Sequence, residues 1–282
     1  MRTISAIAAL ILVAGSCVAF KPGSTGYSAT WLSVLGAIRL WTPAELDNVE
    51  LWLDGSSSEY MTFTNSRISQ WDDRSGSGNH ATVVGTAYPS YSANYYDSLG
   101  SVRFQNATNL MEMLSMTGNA TNMTTVGVWE FTTWTGVGGY ALQGFTSGQN
   151  NRWYTGWHPN SGNIFWNIGV AGALDELFFV AVERISAMYG MTLSGGTGYA
   201  YYFGNLEASD SESLQGAPTR WRLGGGGVAS MDGYISEIIH LNYAASDSDR
   251  QKIEGYLAHK WGLESRLPTN HPYKASAPLI GD

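Results

Sequence analysis

Apolar and polar residues alternate along much of the chain with the two-residue period of a half-buried strand. Over residues 48–54, Val49, Leu51 and Leu53 alternate with Glu50, Trp52 and Asp54. Residues 101–105 do the same around Val102 and Phe104, and similar stretches occupy 125–132, 152–157, 163–168, 176–183, 199–203 and 234–243. Turn-forming runs such as Ser75-Gly76-Ser77-Gly78-Asn79 and Gly224-Gly225-Gly226-Gly227 fall between them. Many short strands punctuated in this way predict an all-β protein, a two-sheet antiparallel jelly-roll sandwich. One segment departs from the period. Over 246–262, Ile253, Tyr256, Leu257 and Trp261 recur at i, i+3, i+4 and i+8, the stripe of an amphipathic helix. Ser246 suits its N-cap, Asp247 and Asp249 its positive end and Gly262 its stop. The sandwich is therefore expected to carry one C-terminal helix, packed by its stripe.

The chain opens differently. Residues 3–14 are almost wholly apolar and follow a single cation, Arg2, while Ala14, Gly15, Ser16 and Ala19 supply small residues near the end of the run. A dozen residues are too few for a membrane-spanning helix, which needs about twenty. The pattern is that of a secretory signal, or equally of a retained apolar anchor. Cys17 after Ala14-Gly15-Ser16 loosely resembles a bacterial lipoprotein box, without the leucine usual three positions before the cysteine. The expected organisation is a hydrophobic leader and spacer over 1–26, a connecting arm over 27–40, and one domain over 41–282.

Composition sharpens the picture in three places. Only 13% of the 282 residues are charged, which excludes coiled coils and long solvated helices, and 11 Trp, 16 Tyr and 9 Phe give ample surface to bury. The net charge is −8 with no cluster of Lys and Arg, so a nucleic-acid partner is not expected. Cys17, the one cysteine, lies in the leader, so the domain has neither disulfides nor thiolate-bound metals.

Candidate chemistry comes from three strings. Glu45, Asp47 and Glu50 have the spacing of laminarinase-type glycoside hydrolases, whose carboxylates share one cleft. Here Thr42-Pro43-Ala44-Glu45 reads as the start of a helix, which separates Glu45 from Glu50, so no catalytic residue is expected. The run from Asp72 to His80 offers carboxylate, hydroxyl and amide oxygens on a Gly-rich turn. Asp73, Ser75 and Asn79 are candidate calcium ligands, set against a turn held by its own side-chain hydrogen bonds. Finally, tryptophans crowd residues 129–166 among Gly, Asn and Ser, which serves either a sandwich core or a sugar-stacking surface. The candidate carbohydrate-binding set is Trp153, Trp157 and His158 with Asn150, Asn151 and Asn160, expected on a hairpin projecting from the sandwich rim.

Trp52-Leu53-Asp54, the string from Ile68 to Gly76 and Asn79-His80-Ala81 together resemble the opening of laminin-G-like, concanavalin A-like modules. The segment from Met231 to Ile239 resembles their last core strand, and Arg250 to Leu263 with Leu267-Pro268 and His271-Pro272-Tyr273 resembles the C-terminal helix and tail of a bacterial and phage branch. The resemblance implies a jelly roll, usually non-catalytic, that binds glycans or proteins. It also implies calcium in some relatives, at the positions of Asp73, Ser75 and Asn79. Modules of this kind with a short apolar leader occur in virion proteins of tailed phages. The expectation is a non-enzymatic adhesion module at a virion surface, as tail, fibre or capsid decoration. It would bind cell-surface polysaccharide and join other virion or envelope proteins through residues 1–40. An exported or lipid-anchored bacterial lectin-like envelope protein is the alternative, and a glycoside hydrolase the third. Single sugar sites are weak, so a multi-copy or homo-oligomeric assembly is expected.

Overall fold

The alternating segments become strands and their apolar sides meet. The computed structural model describes residues 11–13, 16–18, 39–96, 98–105, 109–132, 139–146, 152–157, 164–169, 176–178, 186–211, 214, 216–226 and 229–282. Contacts divide the chain into Met1–Arg39 and Leu40–Asp282. In the first unit Ile11–Val13 and Ser16–Val18 pair antiparallel, with Ile11 opposite Val18. Among the described residues no helix is long and apolar enough to cross a membrane.

The second unit is a sandwich of two antiparallel sheets. The eight-stranded sheet runs Asn205–Ser211, Thr197–Tyr202, Ala187–Ser194, Asn122–Phe131, Gly233–Leu241, Leu99–Phe104 and Ser90–Tyr96, and Val49–Asp54 also pairs with Gly233–Leu241. The nine-stranded sheet runs Glu176–Phe178, Ile164–Gly169, Arg152–Trp157, Gly139–Phe145, Arg220–Leu223, Met111–Met113, Ala81–Val83, Arg67–Trp71 and Met61–Thr64.

Contacts across the gap identify the inner faces. Trp153 Nε1 of the nine-stranded sheet donates to Thr125 Oγ1 of the other at 3.1 Å. His240 lies with its ring centroid 4.6 Å from that of Trp221 and 6.3 Å from that of Trp153. Leu51, Leu53, Trp71, Met111, Leu223 and Ile238 fill the same buried layer. His240 is fully buried, its Nδ1 bonded to Thr125 Oγ1 at 2.8 Å, and burial lowers its pKa to about 3.

The helix spans Asp247–Lys260 and ends as the sequence indicates. Ser246 Oγ accepts the Asp249 N–H at 3.1 Å. At the other end Leu263 N reaches back to Ala258 O at 2.7 Å across Gly262, whose φ of +63° a side chain disfavours. Ile253, Leu257 and Trp261 are buried as the stripe requires. The buried side of the helix also carries Arg250 and Glu254, paired at 2.6 Å. Glu254 bonds His271 Nε2 at 3.1 Å, which fastens the C-terminal tail to the helix.

Candidate functional site

A dense group of charges lies between the helix and the outer face of the eight-stranded sheet. Glu237, on the central Gly233–Leu241 strand, is fully buried. Its Oε1 accepts Trp52 Nε1 at 2.7 Å and Tyr256 O–H at 2.9 Å, and its Oε2 accepts Trp261 Nε1 at 2.8 Å and Lys260 Nζ at 2.7 Å. Lys260 Nζ also reaches Asp54 Oδ1 at 2.8 Å. Asp54 Oδ2 pairs with Arg74, whose guanidinium carbon lies 4.1 Å from the ring centroids of both Trp52 and Tyr60. Burial pushes Glu237 above the usual carboxylate range, against the pull of Lys260. Burial works the same way on Asp54, but there Lys260 and Ser56 outweigh it and hold the carboxyl low. Every oxygen of this pair of carboxylates already has a donor, so the cluster clamps the helix to the sheet and offers substrate nothing.

A second set of side chains forms a polar row. Gln143, Arg222, Glu112, Thr82, Gln70 and Thr62 are successive register partners across the nine-stranded sheet. The register continues the row through Tyr154, Asn167 and Glu176 at the other edge. Its described members stand on the face opposite Trp71, Met111, Met113 and Trp221, which are core. Gly144 holds the two faces apart: a Cβ there would lie 2.7 Å from the Trp221 ring, so glycine lets that indole lie flat on the inner side.

A solvated outer face is ordinarily polar too, but this one is sheltered at its centre. Glu112 is 6% exposed and Gln143 5%. Glu112 Oε1 accepts Arg222 Nε and, at 2.9 Å, Arg220 Nη2. Phe145 is buried against both arginines, its ring 4.8 Å from the Arg222 guanidinium and 5.5 Å from that of Arg220. Gln143 stands beside this group, opposite Arg222 on the neighbouring strand. A sheltered amide flanked by fixed guanidinium groups and hydroxyls is a surface that reads hydroxyls and acids.

The residues singled out from sequence fare differently. Trp153 is 1% exposed and hydrogen-bonded across the sandwich, so it is a core residue and presents no stacking face. Its strand does not project from the rim: Arg152–Trp157 pairs on both sides, with Gly139–Phe145 and Ile164–Gly169. Trp157 is described as the strand position opposite Gly139 and Ile164. His158, Asn150, Asn151 and Asn160 lie outside the described residues. Asp73, Ser75 and Asn79 do come together, but as a turn. Asp73 Oδ1 accepts the N–H groups of Trp52 and Ser75 at 2.9 Å, and Oδ2 accepts Ser75 Oγ at 2.8 Å and Asn79 N at 2.9 Å. Four donors meet this carboxylate, so the three residues form a hydrogen-bonded turn, in which Asn79 Oδ1 is buried without a partner among the described residues. Among the described residues no group of three His, Cys, Asp or Glu is placed to hold a metal. Glu45 lies in the 3-10 turn Pro43–Glu45 and Glu50 on the strand Val49–Asp54. Glu50 Oε1 is bonded by Thr117 N at 3.1 Å and Asn79 Nδ2 at 3.3 Å.

No protein-family model matches the chain, and no curated protein matches it. Solved structures do share its fold. The binding domain of botulinum neurotoxin DC in complex with SialylT is 11% identical at a TM-score of 0.55, covering 75% of this chain and 52% of that one. The binding domain of botulinum neurotoxin serotype D is 16% identical at 0.52, covering 74% and 50%. Trypanosoma rangeli sialidase in complex with sialic acid is 13% identical at 0.55, covering 82% and 38%. The chain thus spans about half or less than half of the length of these proteins, and the likeness is one of β-sandwich architecture.

Proposed function

We propose that this chain is a non-enzymatic recognition module that binds cell-surface glycan on the outer face of its nine-stranded sheet. The observation that carries the reading is the sheltered polar row, above all the Gln143 amide beside the Arg220–Glu112–Arg222 group. The amide offers ligand hydroxyls both donors and an acceptor. The fold neighbours support the same reading, since they include complexes with SialylT and with sialic acid, and botulinum neurotoxin type C, whose cell entry depends on interaction with two ganglioside molecules. Trp157, with His158, Asn150, Asn151 and Asn160, is a second candidate set for binding a sugar, the indole for stacking on its ring. The carrier is a phage virion, with residues 1–40 joining the module to other virion proteins in many copies.

The test is a glycan array probed with the full chain, Gln143→Met and Trp157→Ala. Gln143→Met, with an unchanged thermal midpoint, is expected to weaken binding about tenfold, the worth of one recognition hydrogen bond. Absence of binding to any glycan, or binding indifferent to both substitutions, refutes the proposal. The apolar run over 3–14 favours a second setting, export by a bacterium as a lectin-like envelope protein. Intact-mass measurement of the native protein decides between the two: loss of Met1–Ala19, or acylation at Cys17, selects the envelope.

A further inference from the structure

The glycan face has a sign. We infer that its ligand is a carboxylate-bearing glycan, a polymer of sugar acids, held by Arg220 and Arg222. The inference rests on the glycan-binding reading above and adds the ligand's charge class.

Arg220 and Arg222 alternate along one four-residue strand and project on the same face. Two guanidinium groups repel each other, and the chain as a whole carries −8, so nothing in its general electrostatics calls for the pair. Glu112 holds them in place from the neighbouring strand. One oxygen, Oε1, accepts from both, so a single sheltered negative charge fixes two positive ones and leaves the group at +1. Phe145 adds a flat ring against both guanidinium groups, which favours planar cations over lysine ammonium groups.

The arginines are not used up by this arrangement. Arg222 commits Nε to Glu112 and Arg220 commits Nη2, and among the described residues their other N–H groups meet no acceptor. The Arg220 side chain is 50% exposed and that of Arg222 16%, so one stands at the opening and the other deeper. A carboxylate entering here finds forked donors at matching spacing. Gln143, directly opposite Arg222, sits where a hydroxyl of the same or the next sugar would lie. A neutral sugar uses the amide but leaves the guanidinium groups unanswered.

The experiment compares polygalacturonate with its fully methyl-esterified form, which has the same backbone without charge, on sensor surfaces loaded with the full chain. A neutral dextran is the control. The expected result is retention of the acid polymer, at least about tenfold weaker binding of the ester, and loss of the difference as salt rises from about 50 mM to about 500 mM. Arg220→Gln, at the more exposed position, should abolish the preference with no change in thermal midpoint. Arg220→Lys should restore it only in part, because an ammonium lacks the fork. Equal retention of acid and ester, or a preference that survives Arg220→Gln, overturns the inference while leaving glycan binding intact. Failure to retain any polymer, together with a blank glycan array, overturns both.

Discussion

Replacing Lys260 by Met tests whether the charge clamp, and not apolar contact alone, seats the helix. The substitution keeps the stem and deletes the ammonium, which lies 2.7 Å from Glu237 and 2.8 Å from Asp54. Removing one partner of a buried ion pair costs about 3–5 kcal/mol, because the other charge is left uncompensated. Asp54 keeps Arg74 and the Ser56 N–H, so most of the loss falls on Glu237, which retains only neutral donors. A cost near the lower bound, about 3 kcal/mol at pH 7.5, follows. Glu237→Gln removes the stranded charge, so in that background Lys260→Met should cost only about 1 kcal/mol, a coupling of about 2. The pH dependence has a definite sign. Glu237 titrates above its ordinary range in the fold, and further above it without Lys260. The folded variant therefore binds a proton before the unfolded chain does, and its deficit must shrink as pH falls and grow as pH rises. The assay is urea unfolding followed by tryptophan fluorescence at about pH 5.5 and 8, with the four chains of the cycle. A deficit that is equal at both pH values and in both backgrounds would refute the argument and assign the role of Lys260 to the packing of its stem.

The remaining predictions concern the core. His240 titrates at about 3 in the fold against an ordinary value of 6.5, so it contributes no loss above pH 6.5 and a growing one below, as the unfolded chain gains the proton first. Between pH 7.5 and 5 it should account for about 2 kcal/mol of lost stability, and His240→Phe should flatten that part of the profile; an unchanged slope in urea titrations would contradict it. Trp261→Ala should cost about 3–5 kcal/mol, since it deletes a buried indole and one donor to Glu237, and an unaltered urea midpoint would show that the helix is an appendage.

The sequence exposed whatever was local. The period of two located strands such as Val49–Asp54 and Gly233–Leu241, and capping residues located both ends of the helix. Met61–Thr64 with Arg67–Trp71 escaped the period, as did Ala187–Ser194, the partner of the stretch read at 199–203, but both hairpins had turn signals. Thr64 pairs with Arg67 across Asn65 and Ser66, both at positive φ, and Ser194 pairs with Thr197 across Gly195-Gly196. Trp153 misled for a physical reason. Alternation tells which residues share a face but not which face is inside, and an indole serves a core and a sugar platform equally well. Trp153 is core because Thr125 and His240, far along the chain, close over it. The polar row had little local signal: Thr62 and Gln70 meet within one hairpin, but Thr82, Glu112, Gln143 and Arg222 join them only through pairing between strands further apart in the chain.

The junction at Leu40 has a mechanical consequence. Leu40 forms an antiparallel bridge with Leu279, and Trp41 N bonds Pro278 O at 2.9 Å, so the start of the domain is fastened to its tail. A pull along residues 1–39 meets this short latch first. Next it reaches Val49–Asp54, whose partners on the central strand run from Leu241 opposite Val49 to Glu237 opposite Asp54. The load path thus ends on the Asp54–Lys260–Glu237 clamp, where strand, sheet and helix are tied at one point. Under tension the latch yields as a fuse and the clamp takes the strain, so rupture lifetime under force, which follows the unfolding barrier, should be set by Lys260 and not by the apolar layer.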